Sequence, residues 1–216
     1  MMREDCERSP KAAWLPVAVL GAASLALTAV RLAGELAGGP EWLFGRAAGG
    51  GGALVGIGWL IPIAGWWCGR RLAFAGEQPR ARATSTLFVR LLGVMTVLTA
   101  AKLLLPVTIG TFVFVAATLP LLAVGAYRAW PNLARALLLF AVVQRLPTLA
   151  ITVVAVANDW GTHYERLAPG SPPMSDAVRT LVLCVAQVCL WFPLTLVVGG
   201  FVGVFVARRA SVVMQA

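Results

Sequence analysis

Four residues of one apolar run carry the chain's clearest chemical potential: Arg145, Thr148, Thr152 and Asp159. At 100° per residue they fall within about 60° of helical arc, so they form one stripe. Residues 137–157 are otherwise almost uninterruptedly apolar, which puts Arg145 near the middle of a membrane span. A guanidinium at that depth costs about 2.5–3.5 kcal/mol on insertion scales, so the folded protein must receive it. Beneath hydroxyl-bearing threonines it could hold an anion; it could equally bridge kinked helices. Glu35 is the only carboxylate inside an apolar span, and Arg31 lies four residues before it. Asp159 is about 21 Å along the same helix, beyond reach of Arg145. Gln187, carbonyls freed near Pro147 or Pro120, and internal water are the expected partners.

Two further stripes repeat the pattern. Ser24, Thr28, Arg31 and Glu35 follow i, i+4, i+7 and i+11. Thr180, Cys184, Gln187 and Trp191 follow the same spacing. Polar residues within spans usually face the protein interior. The expected site is therefore an outward-facing polar cavity around Arg145, with Thr148, Thr152, Asp159, Ser24, Thr28, Arg31, Glu35 and Gln187.

Catalytic signatures are missing from the sequence. It contains no G-x-S-x-G, no H-E-x-x-H and no pair of buried aspartates; Asp5, Asp159 and Asp176 are the only ones. His163 is the sole histidine, and beside Asp159 or Glu165 it makes a weak metal site at best. Cys184 and Cys189 are about 140° apart on a helix and lack zinc spacing. Cys6, Cys68, Cys184 and Cys189 are read as small packing residues. No catalytic residue, cofactor or metal is expected, and the chain is read as non-enzymatic.

Positioning these residues falls to membrane helices. Only 12% of the residues are charged, against about 25% in soluble domains, and 59% are hydrophobic. Spans need roughly 20 apolar residues to cross the hydrocarbon. Six are expected, at 12–36, 51–73, 85–105, 107–126, 133–157 and 177–207, in one domain covering 1–216 with no soluble part. The third and fourth, separated by little more than Pro106, would form a tight hairpin. Pro62, Pro120, Pro147 and Pro193 fall near the middle of four spans, where each would kink the helix and free the carbonyl of Gly58, Ala116, Val143 or Cys189. Gly52/Gly56, Gly65/Gly69 and Gly199/Gly203 follow the G-x-x-x-G pattern of close helix packing, read as contacts within the chain, with a homo-oligomer or partner subunit as the alternative. The run 49–52 reads as a turn or a close-packed helix start. No Gly-Lys-Ser/Thr follows it, so a phosphate loop is a poor reading.

The net charge of +9 fits topology rather than nucleic acid. With the N-terminus inside, the inner segments hold Arg3, Arg8, Lys11, Arg70, Arg71, Arg80, Arg82, Arg128, Arg135, Arg208 and Arg209, against Arg46, Arg166 and Arg179 outside. Such an asymmetry predicts N-in, C-in. Arg90 and Lys102 lie close enough to span ends to snorkel. The 12–36 stretch lacks a positive n-region and exceeds a signal-peptide core, so it is read as a retained span. In the outer loop 158–175, Trp160 and Tyr164 suit the membrane–water interface, and Pro169, Pro172 and Pro173 keep the remainder extended.

Three stretches, Ala75-Gly76-Glu77-Gln78-Pro79, Arg145-Leu146-Pro147 and Asn158-Asp159-Trp160-Gly161-Thr162-His163-Tyr164, resemble an uncharacterised group of bacterial multi-span integral membrane proteins, over roughly the last two thirds of the chain. The resemblance implies a bacterial membrane setting and no activity, cofactor or substrate. Sixteen arginines against two lysines, with abundant Ala and Gly, suit a GC-rich genome. The reading is an all-α, polytopic bundle of the inner (cytoplasmic) membrane, serving as an envelope scaffold or accessory subunit. The alternative is a small-solute or anion transporter or channel component. The lipid bilayer is the expected partner.

Overall fold

The computed structural model describes residues 13–50, 53–80, 90, 93, 94, 97 and 109–215, with backbone alone for 109–117 and 210–215. The described residues form helices and connecting turns, without a strand. Helix α1 spans Trp14–Leu36, α2 Glu41–Phe44, α3 Leu60–Phe74, α4 Ile109–Ala129, α5 Pro131–Asn158, α6 Asp176–Cys189 and α7 Trp191–Gln215. Three helical segments are long and apolar enough to cross a membrane: Trp14–Leu36, Pro131–Asn158 and Asp176–Arg209, the last made by α6 and most of α7.

The boundaries follow backbone chemistry. Pro131 opens α5 at a position whose N–H needs no helical partner. At the other end Asp159 adopts φ 48°, a left-handed conformation that ends the helix and that aspartate tolerates better than most residues. Asp176 stands in the first turn of α6, where a carboxylate complements the positive helix end, and meets Arg179 at 3.2 Å.

Two expected spans differ from what forms. The span expected at 51–73 becomes a helix only from Leu60; Ala53 to Trp59 run as turns and bends. Gly56 and Gly58 in that stretch have little helix propensity, so apolar character alone does not make a helix there. Pro62 consequently sits in the first turn of α3, not mid-helix, and removes no helical hydrogen bond. The span expected at 177–207 is interrupted at Leu190. Pro193 cannot donate to the Cys189 carbonyl, and Cys189 is the last residue of α6. Pro193 thus lies in the first turn of α7, whereas Pro120 and Pro147 lie inside α4 and α5. The span expected at 85–105 and its hairpin at Pro106 lie mostly outside the described residues; Arg90, Gly93, Val94 and Val97 within it are helical. Cys6, Lys102, Gly52 and the tail before Ala13 also lie outside.

The chain divides into two compact units. The first comprises Met1–Ala18, Ile61–Ala141 and Cys189–Ala216; the second comprises Val19–Leu60 and Val142–Val188. In the first, a Cβ placed on Gly65 would lie 2.6 Å from Gly199 Cα, and one on Gly69 would lie 2.6 Å from Gly203 Cα. The two G-x-x-x-G pairs therefore face each other, and their matched order makes α3 and α7 parallel. Leu137 packs against Gly199 and Leu133 against Gly203, so α5 runs antiparallel to α7. Helix α4 packs along α7, with Leu119, Leu122 and Val197 in one apolar cluster.

A carboxylate organises one end of this unit. Glu77, just beyond α3, accepts from Trp130 Nε1 at 3.0 Å and Asn132 Nδ2 at 2.8 Å. The backbone N–H of Arg80 donates to the Ala129 carbonyl at 2.9 Å. The loop after α3 is thereby tied to the α4–α5 junction.

Candidate functional site

The polar stripes of α1 and α5 belong to the second unit. Ser24, Thr28, Arg31 and Glu35 on α1, and Gln144, Arg145, Thr148 and Thr152 on α5, are all buried. Gly21 lets the two helices approach, since a Cβ there would come within 2.7 Å of Val143 Cγ1. Side chains of this polarity inside an apolar unit need partners from the protein.

The densest set of partners surrounds Glu35, which is 1% exposed. Arg31 Nε donates to Oε1 at 2.8 Å, one helical turn away. The backbone N–H of His163 donates to Oε2 at 2.8 Å, and His163 Nδ1 bonds to Oε1. A carboxylate can only accept, so Nδ1 of a neutral His163 carries the hydrogen and Nε2 keeps its lone pair. The Glu35 carbonyl accepts from Arg46 Nη2. Glu35 thus joins α1 and the loop after α5 through its carboxylate, and the loop after α2 through its carbonyl.

Arg31 gives two further donors to the glycine-rich loop: Nη2 reaches the Gly45 carbonyl at 2.8 Å and Nη1 the Gly50 carbonyl at 3.1 Å. Two glycines there sit in tight surroundings. A Cβ on Gly50 would stand 3.1 Å from the His163 ring, and one on Gly56 would stand 3.2 Å from Arg31 Nη1. Gly50 also has φ 74°, a region that L side chains rarely adopt. Along the same loop, Gln144 Nε2 donates to the Ile57 carbonyl at 2.7 Å. Non-helical backbone within an apolar unit is tolerated where side chains satisfy it, and Arg31 and Gln144 do so here.

The loop after α5 closes over this cluster. Tyr164 is 6% exposed, and its hydroxyl donates to the Thr28 carbonyl at 3.5 Å. It is therefore packed into protein, not displayed at a membrane–water interface as its type suggested. Glu165 Oε1 accepts from the Thr162 N–H at 2.6 Å, closing a local turn. Burial raises the Tyr164 phenol well above its usual range, with Arg31, Glu35 and Arg145 all within electrostatic reach. Burial pushes the His163 imidazole down; the Glu35 hydrogen bond opposes this and the charge of Arg31 reinforces it.

Arg145 Nη1 donates to Gln187 Oε1 at 3.2 Å, linking α5 to α6. Arg179 Nη2 reaches the Val156 carbonyl at 3.4 Å farther along the same antiparallel pair. Thr148 and Thr152 turn their hydroxyls back to the carbonyls of Gln144 and Thr148, at 3.5 and 2.9 Å. Such back-bonding uses the hydroxyl within its own helix.

Of the residues expected to share one site, Ser24, Thr28, Arg31, Glu35, Arg145, Thr148 and Thr152 are buried in this unit, and Gln187 is half-buried beside Arg145. Asp159 is exposed and serves as the end of α5. His163 joins Glu35 instead of Asp159 or Glu165. Gln144, Tyr164, Arg46 and the loop carbonyls carried no warning in the sequence. Two lone groups did: the only carboxylate within an apolar span and the only histidine of the chain form a pair. Among the described residues no cluster of three or more His, Cys, Asp or Glu side chains could hold a metal ion.

Fold and site together define an all-helical protein with three segments able to cross a membrane and a buried, charge-paired seam. No protein-family model, curated protein or solved structure matches the chain.

Proposed function

We propose that the chain is a multi-pass protein of a bacterial inner membrane, N-in and C-in, of the uncharacterised group that its motifs resemble. In this reading it acts without catalysis, as an envelope scaffold or accessory subunit. The observation that carries it is the saturation of Glu35: Arg31 and His163 occupy both carboxylate oxygens. Arg31 and Glu35 hold two loops to the end of α1 and Arg145 holds α5 to α6, which is what a rigid platform for partner subunits requires. The topology draws support from exposed Arg70, Arg71, Arg80, Arg128, Arg135, Arg208 and Arg209. The parallel course of α3 and α7, and the return of α5, gather all seven at one end of the first unit. Cytoplasmic loops carry such an excess.

A second reading, an anion or small-solute pathway along the Arg145 stripe, has its own observation. The hydroxyls of Ser24, Thr28 and Thr162 are buried without a protein hydrogen-bond partner among the described residues. Arg145→Leu separates the two. On the scaffold reading the variant leaves anion flux into proteoliposomes unchanged and alters thermal stability alone. If it folds with wild-type stability and abolishes flux, the pathway reading replaces the scaffold. Topology is checked by thiol labelling from outside: a cysteine at Ser171, exposed in the loop after α5, reacts and one at exposed Arg80 does not, and the reverse pattern overturns N-in, C-in.

A further inference from the structure

The arginine-rich end of the first unit is organised beyond what topology needs. Arg70 lies over two exposed rings, 5.6 Å from the centroid of Trp66 and 5.3 Å from that of Phe74. Arg209 lies 4.6 Å over Phe205, also exposed. Arg135 reaches the Tyr127 hydroxyl at 3.3 Å and Asn132 Oδ1 at 3.2 Å. Arg128 is exposed in the last turn of α4.

Negative charge is scarce at this end. Among the described residues of this unit the sole acidic side chain is Glu77, and Trp130 and Asn132 take one oxygen each. Among the described residues the arginines of this end therefore far outnumber its carboxylates, and the end carries a net positive charge. Aromatic faces hold the guanidiniums by cation–π attraction at the level where ring and charge are both wetted, as at a membrane interface. Guanidinium forks match phosphate oxygens in a bidentate manner that an ammonium does not.

We propose that Arg70, Arg128, Arg135 and Arg209 form a collar that selects anionic phospholipid headgroups over zwitterionic ones. The proposal rests on the membrane reading above, with this end at the cytoplasmic leaflet, and adds a lipid class to it. Rings and stems lie in the outer acyl region, while the guanidiniums bind phosphodiesters whose net negative charge no choline cancels. Among the described residues of this unit no acidic side chain other than the engaged Glu77 is present to compete.

The full-length chain is reconstituted in phosphatidylcholine bilayers, and spin-labelled phosphatidylglycerol and phosphatidylcholine report their relative association. Wild type should favour the anionic lipid several-fold, with the preference falling as salt rises. Changing all four arginines to glutamine should bring the ratio close to one, whereas changing them to lysine should retain part of it. Equal association of both lipids with wild type, or an undiminished ratio in the glutamine variant, overturns the collar. If the glutamine variant does not fold, the salt dependence and the lysine variant still decide, because a salt-insensitive ratio is incompatible with headgroup pairing. Inorganic phosphate added to the bilayers should compete weakly; complete displacement at low concentration points to a soluble phosphate site and also overturns the proposal. Alkaline extraction distinguishes the levels of failure: a chain released from the membrane sinks the membrane reading and the collar together, and an inserted chain without lipid preference sinks the collar alone.

Discussion

Glu35→Leu tests the central claim about the buried cluster. The substitution keeps an apolar side chain of similar reach and removes an acceptor for three donors: Arg31 Nε, and the Nδ1 and backbone N–H of His163. Arg31, 5% exposed, would keep only the Gly45 and Gly50 carbonyls. A buried charge stripped of its partner costs about 3–5 kcal/mol. Each lost hydrogen bond to a charged group accounts for roughly 1.5–3 kcal/mol, but these losses overlap and do not sum. The expected destabilisation is therefore about 3–5 kcal/mol, read by thermal or denaturant unfolding of the purified chain in detergent. Adding Arg31→Met to Glu35→Leu should recover most of that loss, because replacing both members of a buried pair by apolar groups is often close to neutral. Amide exchange at His163 should accelerate in Glu35→Leu, since its N–H loses its acceptor. A destabilisation below about 1 kcal/mol is the value of a solvent-screened pair, and would refute a cluster that joins the loops to α1. So would a double variant no more stable than Glu35→Leu alone.

Other perturbations address separate parts of the fold. Gly65→Leu or Gly199→Leu forces a side chain between α3 and α7 where no Cβ fits, and should cost at least about 1–3 kcal/mol in the same unfolding assay. Glu77→Ala leaves Trp130 Nε1 and Asn132 Nδ2 without their acceptor and should cost about 1–3 kcal/mol. The pH response follows from His163, whose folded pKa lies below its ordinary value of about 6.5. Its contribution to stability is complete above that value and is lost as pH falls through the depressed folded value, because the unfolded chain takes up the proton first. Unfolding midpoints measured across that range should therefore decline toward acid, and His163→Asn should flatten the decline; an unchanged slope rejects His163 as its source.

Much of the helical framework was legible in the sequence because the bilayer requirement is local. The span expected at 133–157 forms as Pro131–Asn158, and the one at 12–36 as Trp14–Leu36. In both, a long apolar run coincides with good helix formers, so hydropathy and backbone preference agree. At 53–59 they disagree, and hydropathy misleads: the stretch is apolar, yet Gly56 and Gly58 weaken a helix there. There Gly56 instead lies close against Arg31, where a Cβ would crowd Nη1. The pairing of Arg31 with Glu35 was readable from a spacing of one helical turn. The link from Glu35 to His163 was not, because 128 residues separate them and no periodicity spans that distance.

The amino-acid sequence by itself determined that the chain is helical, that segments of it suit lipid, and that polar stripes must turn away from it. Each follows from the cost of placing a residue in hydrocarbon, which depends on the residue and its near neighbours. Tertiary structure alone decided which charge meets which. It brought the lone histidine to the lone span carboxylate, placed Gln187 on Arg145, set one G-x-x-x-G against the other, and collected exposed arginines at one end of the first unit. Those choices depend on how helices and loops fold back in three dimensions, where a donor separated by a hundred residues can be nearer than one separated by ten.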